Sequence, residues 1–197
     1  MKYVLASASP RRKEILENLG LDFVVITSEA DESSEEKDPE VLTEELSRRK
    51  AEAVRKHLES EGKLDSETVI IASDTVVYAS GEILGKPKDK DDAERMIRML
   101  SGNTHTVTSG VALIYNSKTV TAHSTTKVTF DELCEEFIES YVSSREPYDK
   151  AGAYAIQGRA AEVISKIDGC YFNVVGLPVN RLIRLAKENG IPFELNH

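Results

Sequence analysis

Short apolar runs alternate with amphipathic stretches along most of the chain. The first run, residues 3–6, ends at a serine-rich turn and is followed by apolar residues at helical spacing. Ser9 suits the N-cap of that helix, Pro10 suits its first turn, and Gly20 suits the left-handed position after its end. The opening segment therefore predicts a strand, a turn and a helix.

The same periodicity predicts the other elements. Further strands are predicted at residues 23–26, 68–78, 104–115, 120–130, 163–167 and 171–175, and further helices at 89–100, 132–142 and 178–190. A long helix opens at Asp38-Pro39, and its predicted apolar stripe starts at Val41. Turns at residues 116–118 and 168–169 predict two hairpins. Residues 145–159, rich in polar side chains, are a candidate functional loop.

Strands interleaved with helices indicate an α/β fold, and the two hairpins indicate a mixed rather than a purely parallel sheet. The strand at 68–78 contains a continuous apolar run, which is typical of a strand covered on both faces. Ligands of such sheets bind in a crevice beyond the carboxyl ends of strands. Two polar clusters fall there: residues 7–12 after the first strand and residues 73–75 within the third.

Residues 7–12 combine two hydroxyls, Ser7 and Ser9, with the start of a helix and the adjacent Arg11 and Arg12. Free N–H groups and the positive end of a helix favour an anion, and guanidinium groups bind phosphate oxygens in pairs. The alternative is a capped surface helix with basic residues in its first turn. Two arginines there oppose the helix dipole unless an anion is present, which favours a phosphate site.

Asp74 interrupts the most apolar strand of the chain. A buried carboxylate without partners is costly, so a cation should lie beside it. The alternative is an aspartate that caps a neighbouring turn through backbone N–H groups. Lys50 on the long helix and Lys86 and Lys88 in a rigid turn are candidate partners. Carboxylates and lysines around a phosphate pocket are typical of a site that binds a metal ion and a phosphate together.

Several classes of protein are excluded by missing motifs. The chain lacks the G-x-x-x-x-G-K-[ST] loop of P-loop NTPases, the G-x-G-x-x-G turn of dinucleotide-binding proteins and the G-x-S-x-G turn of serine hydrolases. The histidines show no paired spacing: His57 is expected to face solvent, and His105 and His123 are expected to pack within strands. An aspartyl-phosphate phosphatase would use Asp74 as nucleophile, but such enzymes have a second aspartate two residues later, where this chain has Val76.

Composition adds a constraint on how an anion would be bound. The 197 residues carry a formal charge of −9, with a pI near 5.1. Residues 29–46 hold nine acidic side chains and one lysine, so this stretch supplies −8 of that charge. A protein that coats nucleic acid through a broadly positive surface is therefore excluded, whereas binding of an anion by a local cluster of cations is not. The only cysteines, Cys134 and Cys170, cannot form a disulfide framework or a four-cysteine zinc site.

The length favours one domain over residues 1–197, or two small lobes that share a sheet. No segment approaches the ~20 apolar residues needed to span a bilayer, and the apolar run at the amino terminus is too short for a signal peptide. We therefore expect a cytoplasmic protein with no nucleic-acid or membrane partner.

Five ordered motifs resemble one family, the Maf-like nucleoside triphosphate pyrophosphatases, nearly end to end. They are Ala6-Ser7-Ala8-Ser9-Pro10-Arg11-Arg12, Ser73-Asp74-Thr75-Val76-Val77, Gly85-Lys86-Pro87, Leu100-Ser101-Gly102 with His105, and residues 149–158 (DKAGAYAIQG). The tail from Ile167-Asp168-Gly169 to Gly176-Leu177-Pro178 matches as well. The resemblance implies hydrolysis of a nucleoside triphosphate between its α and β phosphates. It also implies a two-lobed α/β fold with a cleft, similar to inosine triphosphate pyrophosphatases.

The resemblance also implies roles for individual residues. Residues 149–158 look like the subfamily that acts on dTTP and UTP in the disposal of unwanted nucleotides, where Arg11, Thr75 and Gln157 match positions associated with substrate choice. Asp74 matches the proton acceptor, and Glu32 and Lys50 match a carboxylate and a lysine of the pocket. The family usually has glycine where this chain has Ala155.

Together these observations predict a site in three parts. Asp74 and Lys86 would be catalytic, and Asp74 and Glu32 would hold Mg²⁺ or Mn²⁺. The substrate would be bound by Ser7, Ser9, Arg11, Arg12, Lys50, Thr75 and Gln157. Homodimers are common in the resembling family. The alternative function is a non-catalytic nucleotide sensor that regulates cell division.

Overall fold

The computed structural model describes residues 1–27 and 30–195. Glu29, at the start of the acidic stretch, and His197 lie outside these residues. The strands are β1 Lys2–Leu5, β2 Phe23–Val25, β3 Thr68–Ala79, β4 Glu82–Leu84, β5 Thr104–Tyr115, β6 Lys118–Phe130 and β7 Ile164–Asp168. The α-helices are α1 Pro10–Asn18, α2 Pro39–Ser60, α3 Lys90–Leu100, α4 Glu135–Val142, α5 Tyr171–Val175 and α6 Val179–Glu188. Three short 3₁₀ helices lie between α4 and β7, at Pro147–Asp149, Ala151–Ala153 and Arg159–Val163.

The strands form one mixed sheet in the order β2-β1-β3-β5-β6-β7, with β4 paired to β3. β2, β1 and β3 run parallel, whereas β3, β5, β6 and β7 are antiparallel neighbours. The predicted mixed α/β fold is confirmed. That the whole chain acts as one domain of two lobes stays a prediction.

Strand β3 extends past its neighbours on one edge. β1 pairs with it as far as Leu5 opposite Ile71, and β4 pairs with it only from Leu84 opposite Val77. Residues 72–76 therefore have β5 on one side and, within the described chain, no strand on the other. Successive side chains of a strand point to opposite faces, so this stretch presents side chains above and below a gap in the sheet.

Helices cover both faces of the sheet and so bury β3. On one face α1 and α6 pack on the sheet, with Leu16, Ile71 and Leu182 in a single apolar cluster. On the other face α2 packs through Val54 against Ile70. A third cluster surrounds α3 and α4 at the far end of β3 and β5. The gap at residues 72–76 lies between the clusters at the two ends of the long strands.

One predicted hairpin is wrong. The turn at residues 168–169 does not join two strands, because Tyr171–Val175 is helix α5. The physical reason is Asn173, which is fully buried: its Nδ2 donates to the Val107 carbonyl at 2.8 Å and to Thr126 Oγ1 at 2.9 Å. Its Oδ1 accepts from the Ser109 N–H at 3.1 Å. Satisfying this buried amide outweighs the β propensity of the neighbouring valines.

The remaining differences are local. A hairpin that the pattern did not predict joins β3 to β4, with Ser80 and Gly81 both at positive φ, as in a two-residue type I′ turn. Helix α4 begins at Glu135 rather than at residue 132, because the Leu133 N–H is bonded to Ser101 Oγ. Val41, expected on the apolar stripe of α2, is exposed. The amphipathic pattern thus locates elements better than their ends.

Candidate functional site

The gap beside β3 opens into a cavity of about 600 Å³. Nine of the ten predicted site residues line it: Ser7, Ser9, Arg11, Arg12, Glu32, Lys50, Asp74, Thr75 and Lys86. The tenth, Gln157, is exposed and is not among the described lining residues, although Ala155 and Ile156 before it are. The topology thus brings together residues that lie far apart in the sequence.

Two carboxylates converge on one ammonium group in this cavity. Lys50 Nζ lies 2.5 Å from Asp74 Oδ1 and 3.1 Å from Glu32 Oε1. Asp74 is buried, at 8% exposure, so Lys50 is the cation that its burial requires. Asp74 reaches it because it shares the α2 face of β3 with Ile70 and Ala72, while Lys50 projects from α2. Because Asp74 pairs with Lys50, the alternative in which Asp74 only caps a turn does not account for its position.

Arg12 turns inward from the first turn of α1. Its Nε donates to the Gly176 carbonyl at 2.8 Å, and its two terminal nitrogens donate to Ser7 Oγ and Thr75 Oγ1, each at 3.1 Å. Burial lowers the pKa of its guanidinium, and the nearby charge of Asp74 opposes that change. Arg12 therefore ties the turn after β1 to β3 and to the turn before α6.

A capped helix start forms the wall next to Arg12. Ser9 is the N-cap of α1, with Pro10 in the first turn, as the sequence predicts. Ser7 Oγ accepts from the Ser9 N–H at 3.2 Å. Because the guanidinium of Arg12 is turned into the cleft, the alternative of an ordinary surface helix fits poorly. The wall presents a helix N-terminus and Arg11 to the cavity.

Behind the cavity, side-chain hydroxyls form a hydrogen-bond network that the sequence did not predict. Thr75 Oγ1 lies 2.8 Å from Ser109 Oγ, and Ser109 Oγ donates to the Asn173 carbonyl at 2.9 Å. Ser73 Oγ contacts the carbonyls of Gly110 and Gly176 at 2.8 and 2.9 Å. In the sequence, this network is signalled by Asn173, the one amide side chain in an otherwise apolar stretch before Gly176.

The far wall is formed by the loop after α4, residues 145–159, which the sequence predicts to be a functional loop. Asp149, Lys150 and Tyr154 line the cavity from this side. Gly152 (φ 68°) packs so closely that an added Cβ would lie 2.8 Å from a methyl carbon of Val77. Among described residues at positive φ are Gly152 and Ala153, but not Ala155. The alanine that replaces the family's usual glycine is therefore accommodated without left-handed backbone.

Beneath this loop His105 and Tyr154 form a buried polar pair. His105 Nε2 lies 2.7 Å from the Tyr154 hydroxyl, and Phe130 packs edge-on against both rings. Burial lowers the pKa of His105 to about 4, so the ring is neutral at pH 7. The Nδ1 atom of His105 has no hydrogen-bond partner among the described residues. The expectation that His105 packs within a strand is confirmed, and its partner is a residue of the cavity wall.

This buried histidine predicts a pH dependence of stability. An unfolded histidine has a pKa of about 6.5, whereas folded His105 has a pKa of about 4. Between these two pH values, unfolding is accompanied by uptake of a proton at His105. The contribution of neutral His105 to the free energy of unfolding should be fully present above pH 6.5. It should be lost as the pH falls toward 4, which lowers the free energy of unfolding by up to about 3 kcal/mol. Urea denaturation at successive pH values should show a shallower fall for His105→Gln than for wild type. His57→Gln, at an exposed position, is the control, and equal slopes in all three proteins would contradict the assignment.

Within the described residues, no group of three or more His, Cys, Asp or Glu side chains is arranged to hold a metal ion alone. Mg²⁺, however, commonly takes one or two carboxylates and completes its shell with water and substrate phosphates. Asp74 and Glu32 contact the same Lys50 atom, so their oxygens already converge on one point occupied by positive charge. This pair fits such an ion.

The described helices include none that is both long and apolar enough to cross a membrane.

The fold and the site together define a mixed α/β protein whose cleft combines carboxylates, cations and a helix N-terminus. The same fold is present in the structure of the Staphylococcus aureus Ham1 protein, with a TM-score of 0.55 and 14% identity over 96% of this chain and 100% of that one. At this identity the likeness concerns the fold alone.

The chain belongs to the Maf-like protein family, whose model matches residues 2–189. Relatives named dTTP/UTP pyrophosphatase extend over almost the whole chain. The relative from Thermoanaerobacter sp. (strain X514) is 47% identical over 189 residues, covering 95% of this chain and 96% of its own. That from Acetivibrio thermocellus is 45% identical over 194 residues, covering 97% and 96%.

Proposed function

We propose that this protein is a nucleoside triphosphate pyrophosphatase that hydrolyses dTTP and UTP to the monophosphate and pyrophosphate. The observation that carries the proposal is the ion pair between buried Asp74 and Lys50, placed in a cavity that Arg11 and Lys86 also line. A carboxylate that can take a proton thus lies beside cations that can bind phosphate oxygens. The names of relatives at 44–47% identity point to the same reaction and to pyrimidine substrates.

In this mechanism Asp74 accepts a proton from the water that attacks the α-phosphorus. Lys50 keeps the Asp74 carboxylate in place and, with Lys86 and Arg11, stabilises charge on the phosphate oxygens. Arg12 uses three N–H groups on the protein, but a guanidinium has five, so two can still bind a phosphate oxygen. We therefore assign Arg12 both to binding and to holding the cleft in shape.

Asp74 and Glu32 are the residues that would hold a divalent cation, Mg²⁺ or Mn²⁺. When bound, such an ion neutralises triphosphate charge and lowers the pKa of a water molecule, which matters because an aspartate of pKa about 3.9 is a weak base at pH 7. Lys50 already pairs with both carboxylates in the free protein and offsets one of their two negative charges, so neither carboxylate lacks a partner without the ion.

Removing divalent cations should therefore abolish turnover without unfolding the protein. With excess EDTA we expect pyrophosphate release from UTP to fall by about 100-fold or more, because the developing charge loses its main neutralising group. Thermal unfolding of the free protein should shift by less than about 2 °C. Readdition of Mg²⁺ or Mn²⁺ should restore the rate. Full activity in EDTA would contradict the assignment of Glu32 and Asp74 to a metal.

Gln157 can offer a donor and an acceptor to the edge of a uracil or thymine ring. Its exposed position directly after Ile156, a cavity residue, is compatible with a contact that forms when the base enters. The direct test of the proposed function is a panel of triphosphates assayed for pyrophosphate, in which UTP and dTTP should be the best substrates. Release from none of them would instead support the nucleotide-sensor alternative, which no observation favours at present. A homodimer and a cytoplasmic location stay predictions.

A further inference from the structure

A single carboxylate, that of Glu146, contacts the backbone on the carboxyl side of Gln157. Glu146 Oε2 accepts from the Arg159 N–H at 3.0 Å, and Oε1 accepts from the Ala160 N–H at 3.4 Å. Oε1 also accepts from the hydroxyl of Tyr141 at 3.0 Å. Glu146 thus links helix α4 to the backbone that immediately follows Gln157 and Gly158.

The glycine after Gln157 is explained by the same carboxylate. A Cβ added at Gly158 would lie 2.1 Å from Glu146 Oε1 and 2.4 Å from its carboxyl carbon. The φ of Gly158 is −121°, so the residue is not required for a left-handed backbone. A methyl group there would displace the Glu146 carboxylate, which lies against the Cα of Gly158.

Tyr141 extends this contact toward the cavity. Its ring is fully buried, and burial together with the charge of Glu146 raises the pKa of its hydroxyl. The nearby backbone N–H of Ala155 partly opposes that rise in pKa. The hydroxyl therefore donates to Glu146 and lies near the backbone of Ala155, a residue of the cavity wall.

The residues between these contacts form a short span over the cavity. At its start the Tyr154 hydroxyl is fixed by His105, and at its end Arg159 and Ala160 are fixed by Glu146. Ala155 and Ile156 line the cavity within this span, and Gln157 follows them. Such a span has little backbone freedom, so the direction of the Gln157 side chain depends on both ends.

We propose that Glu146 is a positioning residue for base selection: it holds residues 154–160 so that Ile156 and Gln157 meet a pyrimidine ring. This inference rests on the proposed function. Glu146 touches neither the phosphates nor the reacting atoms, and acts through the backbone that carries Gln157. The choice between pyrimidine and purine triphosphates should therefore depend on a carboxylate outside the cavity lining.

The test is Glu146→Gln, which keeps the size of the side chain but replaces one acceptor oxygen with a donor. Losing a charge-assisted bond to the backbone should raise KM for UTP by about 10-fold, with kcat changed less than about 3-fold. The ratio of kcat/KM for UTP to that for GTP should fall by a similar factor. The Arg159 and Ala160 amides should exchange hydrogen faster. Glu162→Gln is the matched control, because Glu162 lies two residues beyond this span, is exposed, and within the described residues pairs with the Arg159 side chain rather than with the backbone.

A second pair of variants keeps the inference testable if Glu146→Gln is unstable. Gly158→Ala should destabilise the wild type, because its methyl group meets the carboxylate, but should cost much less in a Glu146→Ala background. Equal cost in both backgrounds would overturn the contact.

The outcomes also separate this inference from the proposed function. A folded Glu146→Gln protein with unchanged KM and selectivity, or with a fall in kcat alone, would overturn base positioning. If the wild type releases pyrophosphate from no triphosphate, the proposed function fails, and base positioning fails with it. The exchange rates and the Gly158 pair would then still decide whether the contact itself exists.

Discussion

Replacing Asp74 with Asn is expected to lower pyrophosphate release from UTP by about 10³-fold, because the amide cannot accept the proton of the attacking water. It also removes one of the two carboxylates proposed for the metal. The fold should survive, since Glu32 remains 3.1 Å from Lys50. Initial rates at saturating UTP, together with circular dichroism of the variant, measure the two effects separately.

Asp65→Asn is the matched control for this variant. Asp65 also pairs with a lysine, Lys2, with 2.5 Å between charged atoms, but the pair lies on the surface away from the cavity. Its loss should leave the rate of hydrolysis unchanged. A folded Asp74→Asn enzyme within 10-fold of wild type would remove Asp74 from the role of proton acceptor.

Gly110→Ala is expected to have the largest effect on stability. An added Cβ would lie 2.2 Å from the carbonyl oxygen of Thr43 and 2.7 Å from the amide nitrogen of Glu44, both backbone atoms of α2. Backbone cannot rotate away as a flexible side chain can, so α2 must shift from the sheet, at a cost of about 3 kcal/mol or more. The same shift would move Lys50, and turnover should fall too.

Gly85→Ala provides the comparison. A Cβ at Gly85 would meet nothing within 4 Å, and its backbone is not in the left-handed region. Urea denaturation should therefore show a change of less than about 1 kcal/mol for Gly85→Ala. Similar stabilities for the two variants would show that α2 is not held against β5 at Gly110.

The sequence was sufficient to locate most of the site because its chemistry depends on local rules. Ser9 and Pro10 favour a helix start through local backbone geometry alone, and a carboxylate in an apolar strand needs a partner for its charge. The partner of Asp74 was not fixed by these rules: Lys50, Lys86 and Lys88 were all candidates. Only the packing of α2 across β3 selects Lys50, at 2.5 Å.

What could not be predicted depends on contacts between distant segments. Asn173 is bound to β5 and β6, so Tyr171–Val175 is a helix although its residues favour a strand. The contact of Glu146 with the backbone after Gln157 likewise joins two parts of a loop that has no periodic pattern. The inward turn of Arg12 depends on the Gly176 carbonyl, 164 residues away.

In the proposed reaction, water attacks the α-phosphorus of a pyrimidine triphosphate. Hydrolysis of UTP in ¹⁸O-labelled water with Mg²⁺, followed by mass spectrometry of the products, tests it directly. The expected products are UMP and pyrophosphate, with one labelled oxygen in UMP and none in pyrophosphate. Label in pyrophosphate would place the attack on the β-phosphorus, and UDP with labelled free phosphate would place it on the γ-phosphorus. Either result would contradict the proposed reaction.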